Sequence, residues 1–181
     1  VIENYDSLRN QLLQIKYVFH TETDTEVIAH LVAHHLDEQV KLGGDPTCPE
    51  TCLQALELSL RKLKGTYGLA VMFRDCPNMI IGARNGSPLV VGMGDGEYFL
   101  ASDQAPLVGY TEEVVFLADN EVAVLTPDGM ELMHRDTGRR DPSIHTLNQV
   151  SADTELGDYE HYMLKEIFEQ PETIKNAMRG R

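Results

Sequence analysis

Tryptophan is absent from this 181-residue chain, cysteine occurs only three times, and basic residues number 15 against 29 acidic ones. Long apolar runs are missing too, none approaching the roughly 20 residues that cross a bilayer as a helix. Each shortage excludes something. Three cysteines, Cys48, Cys52 and Cys76, are too few and of the wrong parity for a secreted disulfide framework. A formal charge of −14 repels polyanions and leaves no basic stripe for nucleic acid. Without an apolar span, no membrane partner is expected. The chain also shows neither a basic leader with an apolar core nor an initiating methionine, which suggests a processed or truncated piece without a signal peptide. The cytoplasm is the default address.

What is present fits an ordinary domain. The composition, 42% hydrophobic and 24% charged, suits one globular domain, or one domain with an appendage. Apolar residues recur at helical spacing over Tyr5 to Ile15, Asp24 to Leu36 and Pro49 to Leu63. Asp6 or Ser7 suits the first helix start, and Thr47 to Thr51 supplies polar caps for the third. Thr23 followed three residues later by Glu26 forms a capping box for the second. Gly43-Gly44-Asp45-Pro46 breaks the helical pattern.

From Gly65 the period shortens to that of strands, at Tyr67 to Phe73 and Met79 to Arg84, with turn residues Asp75 to Asn78 between them. Leu89 to Gly92 and Tyr98 to Ala101 predict a hairpin, and Val114 to Leu117 with Val122 to Leu125 predict another around Asp119-Asn120. Beyond Met133 the chain turns polar through Gly157 and reads as a linker. A helical stretch follows from Tyr159 to Arg179, interrupted by Pro171. Helices followed by short, mostly antiparallel strands define an α+β class.

Few residues suggest chemistry on their own. Asp24 stands in the first turn of the second helix, where the helix dipole keeps a carboxylate ionised and able to receive an ammonium ion. Taken alone, it equally serves as a helix-end complement. Glu26, His30 and His34 share one helix stripe as potential metal ligands, yet no zincin signature accompanies them and a solvated face is the simpler reading. Cys48 and Cys52 are four apart without further ligands for a tetrahedral site. Gly92-Met93-Gly94-Asp95-Gly96 lacks the Lys-Ser/Thr ending of a phosphate loop and reads as a hairpin turn. Ser102-Asp103 has no assigned base and reads as a turn or cap. Cys76, before Pro77, reads as a loop thiol. No metal and no cofactor is indicated.

The longer motifs add a resemblance. Val1 to Arg9 and Phe19-His20-Thr21-Glu22-Thr23-Asp24-Thr25-Glu26-Val27-Ile28 resemble the interior of class II, or N-terminal-nucleophile, glutamine amidotransferases. Glu3-Asn4-Tyr5 and Thr23-Asp24-Thr25-Glu26 alone would also suit asparagine synthetase. Ala83 to Gly92, Phe99 to Asp103, His161 to Pro171 and Arg179-Gly180-Arg181 resemble more closely the glutamine:fructose-6-phosphate aminotransferase family, the glucosamine-6-phosphate synthases.

The resemblance implies an αββα sandwich of the N-terminal-nucleophile hydrolase type, incomplete here because its amino-terminal strands are missing. It divides the chain into a truncated glutaminase domain, 1–141, and a linker with a first helix, 142–181, leading toward absent sugar-isomerase domains. It implies a parent enzyme, a homodimer, that transfers the amide nitrogen of glutamine to fructose 6-phosphate, giving glucosamine 6-phosphate and glutamate without a cofactor. In the family a cysteine at the mature amino terminus attacks the amide, and an Asn-Gly pair holds the oxyanion. Both would precede Val1, so no catalytic residue is expected in this chain. Asp24 matches the aspartate that holds the glutamine α-amino group. Fructose 6-phosphate would bind only through the absent domains. The expectation is a fragment inactive by itself, with a non-catalytic glutamine-sensing or partner-binding module as the alternative.

Overall fold

The computed structural model describes residues 1–147, 156–157 and 159–179. Its first compact unit, Val1–Leu147, holds three helices and nine strands. The helices are α1 (Tyr5–Gln14), α2 (Asp24–Lys41) and α3 (Pro49–Leu60); they start where the periodicity predicts, but α2 runs past the expected Leu36, α3 stops short of Leu63, and α1 and α3 begin without the expected side-chain caps. Pro49 opens α3, where its fixed φ suits a first helical position. The strands are β1 (Tyr67–Phe73), β2 (Cys76–Asn85), β3 (Val90–Met93), β4 (Tyr98–Ala101), β5 (Glu113–Phe116), β6 (Glu121–Thr126), β7 (Gly129–His134), β8 (Gly138–Arg140) and β9 (Ile144–Thr146).

They form two antiparallel sheets, one in the order β1-β2-β6-β7-β8 and the other β4-β3-β5-β9. Side-chain alternation explains how the larger sheet is covered on both sides. Met79, Ile81 and Ala83 of β2, with Val122 and Val124 of β6, pack with Leu31 of α2 and Leu56 of α3. Ala123 and Leu125 of β6 point the other way and join Val91 of β3 and Val115 of β5 in an apolar cluster shared by the two sheets. The α+β class therefore holds.

Three local expectations change. Val114 to Leu117 and Val122 to Leu125 are not a hairpin, because β5 pairs with β3 and β9 while β6 pairs with β2 and β7. Their apolar faces meet across the interior, and the chain passes between sheets at a corner. Asp119 Oδ1 accepts the Gly86 N–H there, and the Asn120 N–H, on a residue with φ of 65°, donates to the Arg84 carbonyl. The polar stretch beyond Met133 carries β8 and β9, whose pairings close both sheets. Finally, Asp75 to Asn78 is not all turn: Cys76 already belongs to β2, opposite Phe73 at a register shift.

The hairpin of β3 and β4 is as predicted. Its Gly94 N–H donates to the Glu97 carbonyl at 2.9 Å and Gly96 takes a φ of 73°, so the glycines serve a turn. Asp103 Oδ1 accepts the Ala105 N–H at 2.7 Å, so Ser102-Asp103 forms a turn leading into a short 3-10 helix, Ala105–Leu107, that starts from Gln104.

The second unit, Asn148–Arg181, contains α4 (Tyr162–Arg179). His161 Nδ1 accepts the Leu164 N–H at 3.1 Å at its start. Pro171 lies inside this helix without ending it, contrary to the expected interruption. The segment 148–155 of the expected linker lies outside the described residues.

One buried polar contact ties α2 to α3. Ser59 Oγ donates to the Ala55 carbonyl at 2.7 Å, so its single hydrogen is used and it must accept from His35 Nδ1, 2.9 Å away. His35 is 8% exposed, and burial, with His34 adding to it, lowers its pKa below the ordinary 6.5. The unfolded chain takes up this proton near pH 6.5 and the folded chain only below that. Stability from the neutral ring is complete above 6.5 and is lost as pH falls through the lower folded value. Ser59→Ala should cost about 1–3 kcal/mol, because the ring N–H is left without an acceptor. Urea unfolding at pH 7.5 and 5.5 would measure both effects.

Candidate functional site

Asp24 is the first residue of α2, and the local sequence explains how it is presented. Thr23 precedes it in an extended conformation, with ψ of 145°, and its Oγ1 accepts the Glu26 N–H at 3.4 Å. That is half of the predicted capping box. The other half differs, since the Glu26 carboxylate reaches past Thr23 and accepts the His20 and Thr21 N–H groups, both at 2.7 Å, and the Thr21 hydroxyl. These bonds hold the Glu26 carboxyl down to about 2, with the Thr21 hydroxyl as the largest cause.

The Asp24 side chain turns toward the start of the chain. Its Oδ2 accepts the Ile2 N–H at 2.9 Å, and among the described residues no hydrogen bond is made to Oδ1. Ile2 is itself fixed, because Val1 to Glu3 pair with Lys64 to Thr66: Glu3 N–H donates to the Lys64 carbonyl at 2.8 Å and Thr66 N–H to the Val1 carbonyl at 3.2 Å. Asn4 adds two bonds, from Nδ2 to the Lys62 carbonyl and from the Lys64 N–H to its Oδ1, each at 2.9 Å. The carboxylate thus stands where three pieces of backbone converge: the chain start, the entry to β1 and the amino-terminal end of α2. That helix end carries partial positive charge. A carboxylate with a spare oxygen suits a primary ammonium group. Beside it, α2 and β1 enclose an apolar groove of about 360 Å³ lined by Thr25, Ile28, Ala29 and Val32 on one side and Leu69 to Phe73 on the other.

The Glu26, His30 and His34 stripe is neither a metal set nor a freely solvated face. Among the described residues no group of three or more ligating side chains is placed to hold a metal. The segment before α2 covers the stripe, Phe19 lying edge-on to His30 at 4.6 Å between ring centroids and Tyr17 packing on both His30 and His34. Burial and Asp37, which accepts from the Tyr17 hydroxyl, push that phenol up to about 12. Sequence periodicity sees only the helix and misses the aromatic segment folded over it. The thiols stand apart from this chemistry: Cys52 is fully buried and burial, with Cys76 beside it, pushes it up to about 11. Cys48 donates to Glu50 Oε2.

Asp24 is thus a carboxylate at a helix start set against paired backbone beside β1, and comparison with known proteins gives the class of the chain. The chain belongs to the glutamine amidotransferase domain family, which it matches over residues 1–109. All of it aligns with the isomerizing glutamine–fructose-6-phosphate aminotransferases of Chlorobaculum tepidum and Thermotoga maritima, at 41% and 42% identity over 181 residues. It spans 28% of the length of each of these relatives. Among solved structures, the glutamine phosphoribosylpyrophosphate amidotransferase from B. subtilis, complexed with ADP and GMP, matches with a TM-score of 0.61 and 26% identity. That match covers 76% of this chain and 28% of the other.

Gly65 is the residue this site can least exchange. Its φ is 113°, and a Cβ there would lie 2.3 Å from the Val1 carbonyl oxygen. Gly65→Ala should destabilise the fold by about 1–3 kcal/mol and lift Val1 to Glu3 away from Asp24. Gly96→Ala, at a positive φ with open space around it, is the comparison, expected at about 1 kcal/mol or less in urea unfolding.

Proposed function

We propose that this chain is the glutaminase-side part of an enzyme that transfers the amide nitrogen of glutamine to fructose 6-phosphate, yielding glucosamine 6-phosphate and glutamate. The observation that carries this reading is Asp24, an aspartate with one oxygen bonded to Ile2 and its other unused among the described residues, at the motif position where the family binds the glutamine α-amino group. Alignment of all 181 residues with 28% of the length of each of the two aminotransferases supports the choice of acceptor sugar. In this reading the first unit is an αββα sandwich short of its amino-terminal strands, a view supported by the apolar cluster that both sheets share. The second unit leads toward sugar-isomerase domains that hold the fructose 6-phosphate site.

Asp24 binds and orients; it does not attack. Amide hydrolysis needs a nucleophile, and a thiol pushed up to about 11 and wholly buried, as Cys52 is, supplies almost no thiolate at neutral pH. Cys76 is buried as well. The Cys48 thiol gives its hydrogen to Glu50, and on the family's plan the attacking cysteine and the oxyanion-binding Asn-Gly pair both lie upstream of Val1. The pure chain is expected to release no glutamate from glutamine in a coupled dehydrogenase assay. Release that Asp24→Ala abolishes would overturn this assignment.

A further inference from the structure

We infer that Glu26 is a positioning residue for Asp24, acting through a closed ring of hydrogen bonds in the turn before α2. The inference rests on the reading of Asp24 as the ammonium-binding group and adds how its geometry is held.

The ring can be followed donor by donor. The Thr21 hydroxyl gives its only hydrogen to Glu26 Oε2, so in the 2.9 Å contact between Thr21 and Thr23 the Thr23 hydroxyl donates. Thr21 Oγ1 also accepts the Thr23 N–H at 3.3 Å, and Thr23 Oγ1 accepts the Glu26 N–H, which returns the path to its start. Both Glu26 oxygens are further engaged by the His20 and Thr21 N–H groups. His20, Thr21 and Thr23 are thereby linked to one residue, on both sides of the extended ψ of Thr23 that sets where Asp24 starts.

An ordinary helix cap would satisfy the free N–H groups of the first turn and stop there. Here the acceptor lies two residues beyond Asp24 and its donors lie three and four residues before it, so the bonds straddle Asp24. Oε2 accepts the Thr21 N–H and hydroxyl while Oε1 accepts the His20 N–H, so both oxygens are used. Glu26→Gln keeps size and packing but has one acceptor oxygen: with that oxygen on Thr21 its NH2 group faces the His20 N–H and that bond is lost, and in the flipped orientation the Thr21 N–H bond is lost instead.

The test uses the 181-residue chain with E26Q, D24N and the double variant. Exchange of the Ile2 amide, which donates to Asp24, is followed by NMR beside the Glu3 and Thr66 amides, which donate to backbone carbonyls nearby. E26Q should speed Ile2 exchange by about tenfold and leave Glu3 and Thr66 unchanged, as loss of one aligned bond does. Unchanged Ile2 exchange overturns the inference; equal acceleration of all three amides also overturns it, because that is plain loss of stability. Titration with glutamine and with its analogue lacking the α-amino group separates the two readings. If D24N leaves glutamine binding unaltered, or the unsubstituted chain binds none, the ammonium role of Asp24 fails while the exchange result still decides the role of Glu26. If glutamine binding weakens in E26Q, the analogue is unaffected and D24N with E26Q is no worse than D24N alone, both readings stand.

Discussion

A sheet buried on both faces allows no charge along its middle, and β2 and β6 set the rest of the architecture by obeying that constraint. Between them they send Met79, Ile81, Ala83, Val122 and Val124 to the helices and Ala123 and Leu125 to the second sheet. Uninterrupted apolar burial is the dominant favourable term in a fold of this size. It also forces polar function to the ends of the strands. Glu121, at the start of β6 and 5% exposed, shows what a charge needs there: it accepts the Ala118 N–H and is paired with the Arg140 guanidinium.

Asp24 follows the same rule at the entry to β1, at the same strand-end of the sheet. Its carboxylate is half-buried where backbone donors are plentiful, because residues 1 to 3 pair with 64 to 66 without continuing along β1. The site is built from backbone as much as from side chains, and Gly65 is present because two main chains approach too closely for a Cβ. Such sites tolerate change in their surroundings and little in their glycine.

The parts of this fold that can be read from sequence are those with a private, local signal. Residues Thr23 and Glu26 announce the start of α2, and Gly94 to Glu97 announce a turn, because short-range hydrogen bonding decides both. Period-two alternation shows that β5 and β6 have an apolar face, though it cannot say which sheet each joins, so two strands facing one another look the same as two strands side by side. The strands β8 and β9 are three residues each and exposed throughout, hence without any apolar pattern to find. Asp24 could be singled out as a helix-end carboxylate, and only family resemblance proposes it as a glutamine ligand. Its bond to Ile2, and the aromatic rings over His30, join residues too far apart in the chain for any local pattern to show.

The insertion of β6 beside β2 has a consequence in time. Ile80 pairs with Leu125, so during synthesis β2 emerges, pairs with β1, and then waits with an open, apolar flank while the whole β3 to β5 segment is made. Closing so long a loop is entropically slow compared with forming the adjacent hairpins. The pairing of β2 with β6 is therefore expected to form after the adjacent hairpins, leaving the apolar flank of β2 open in the meantime.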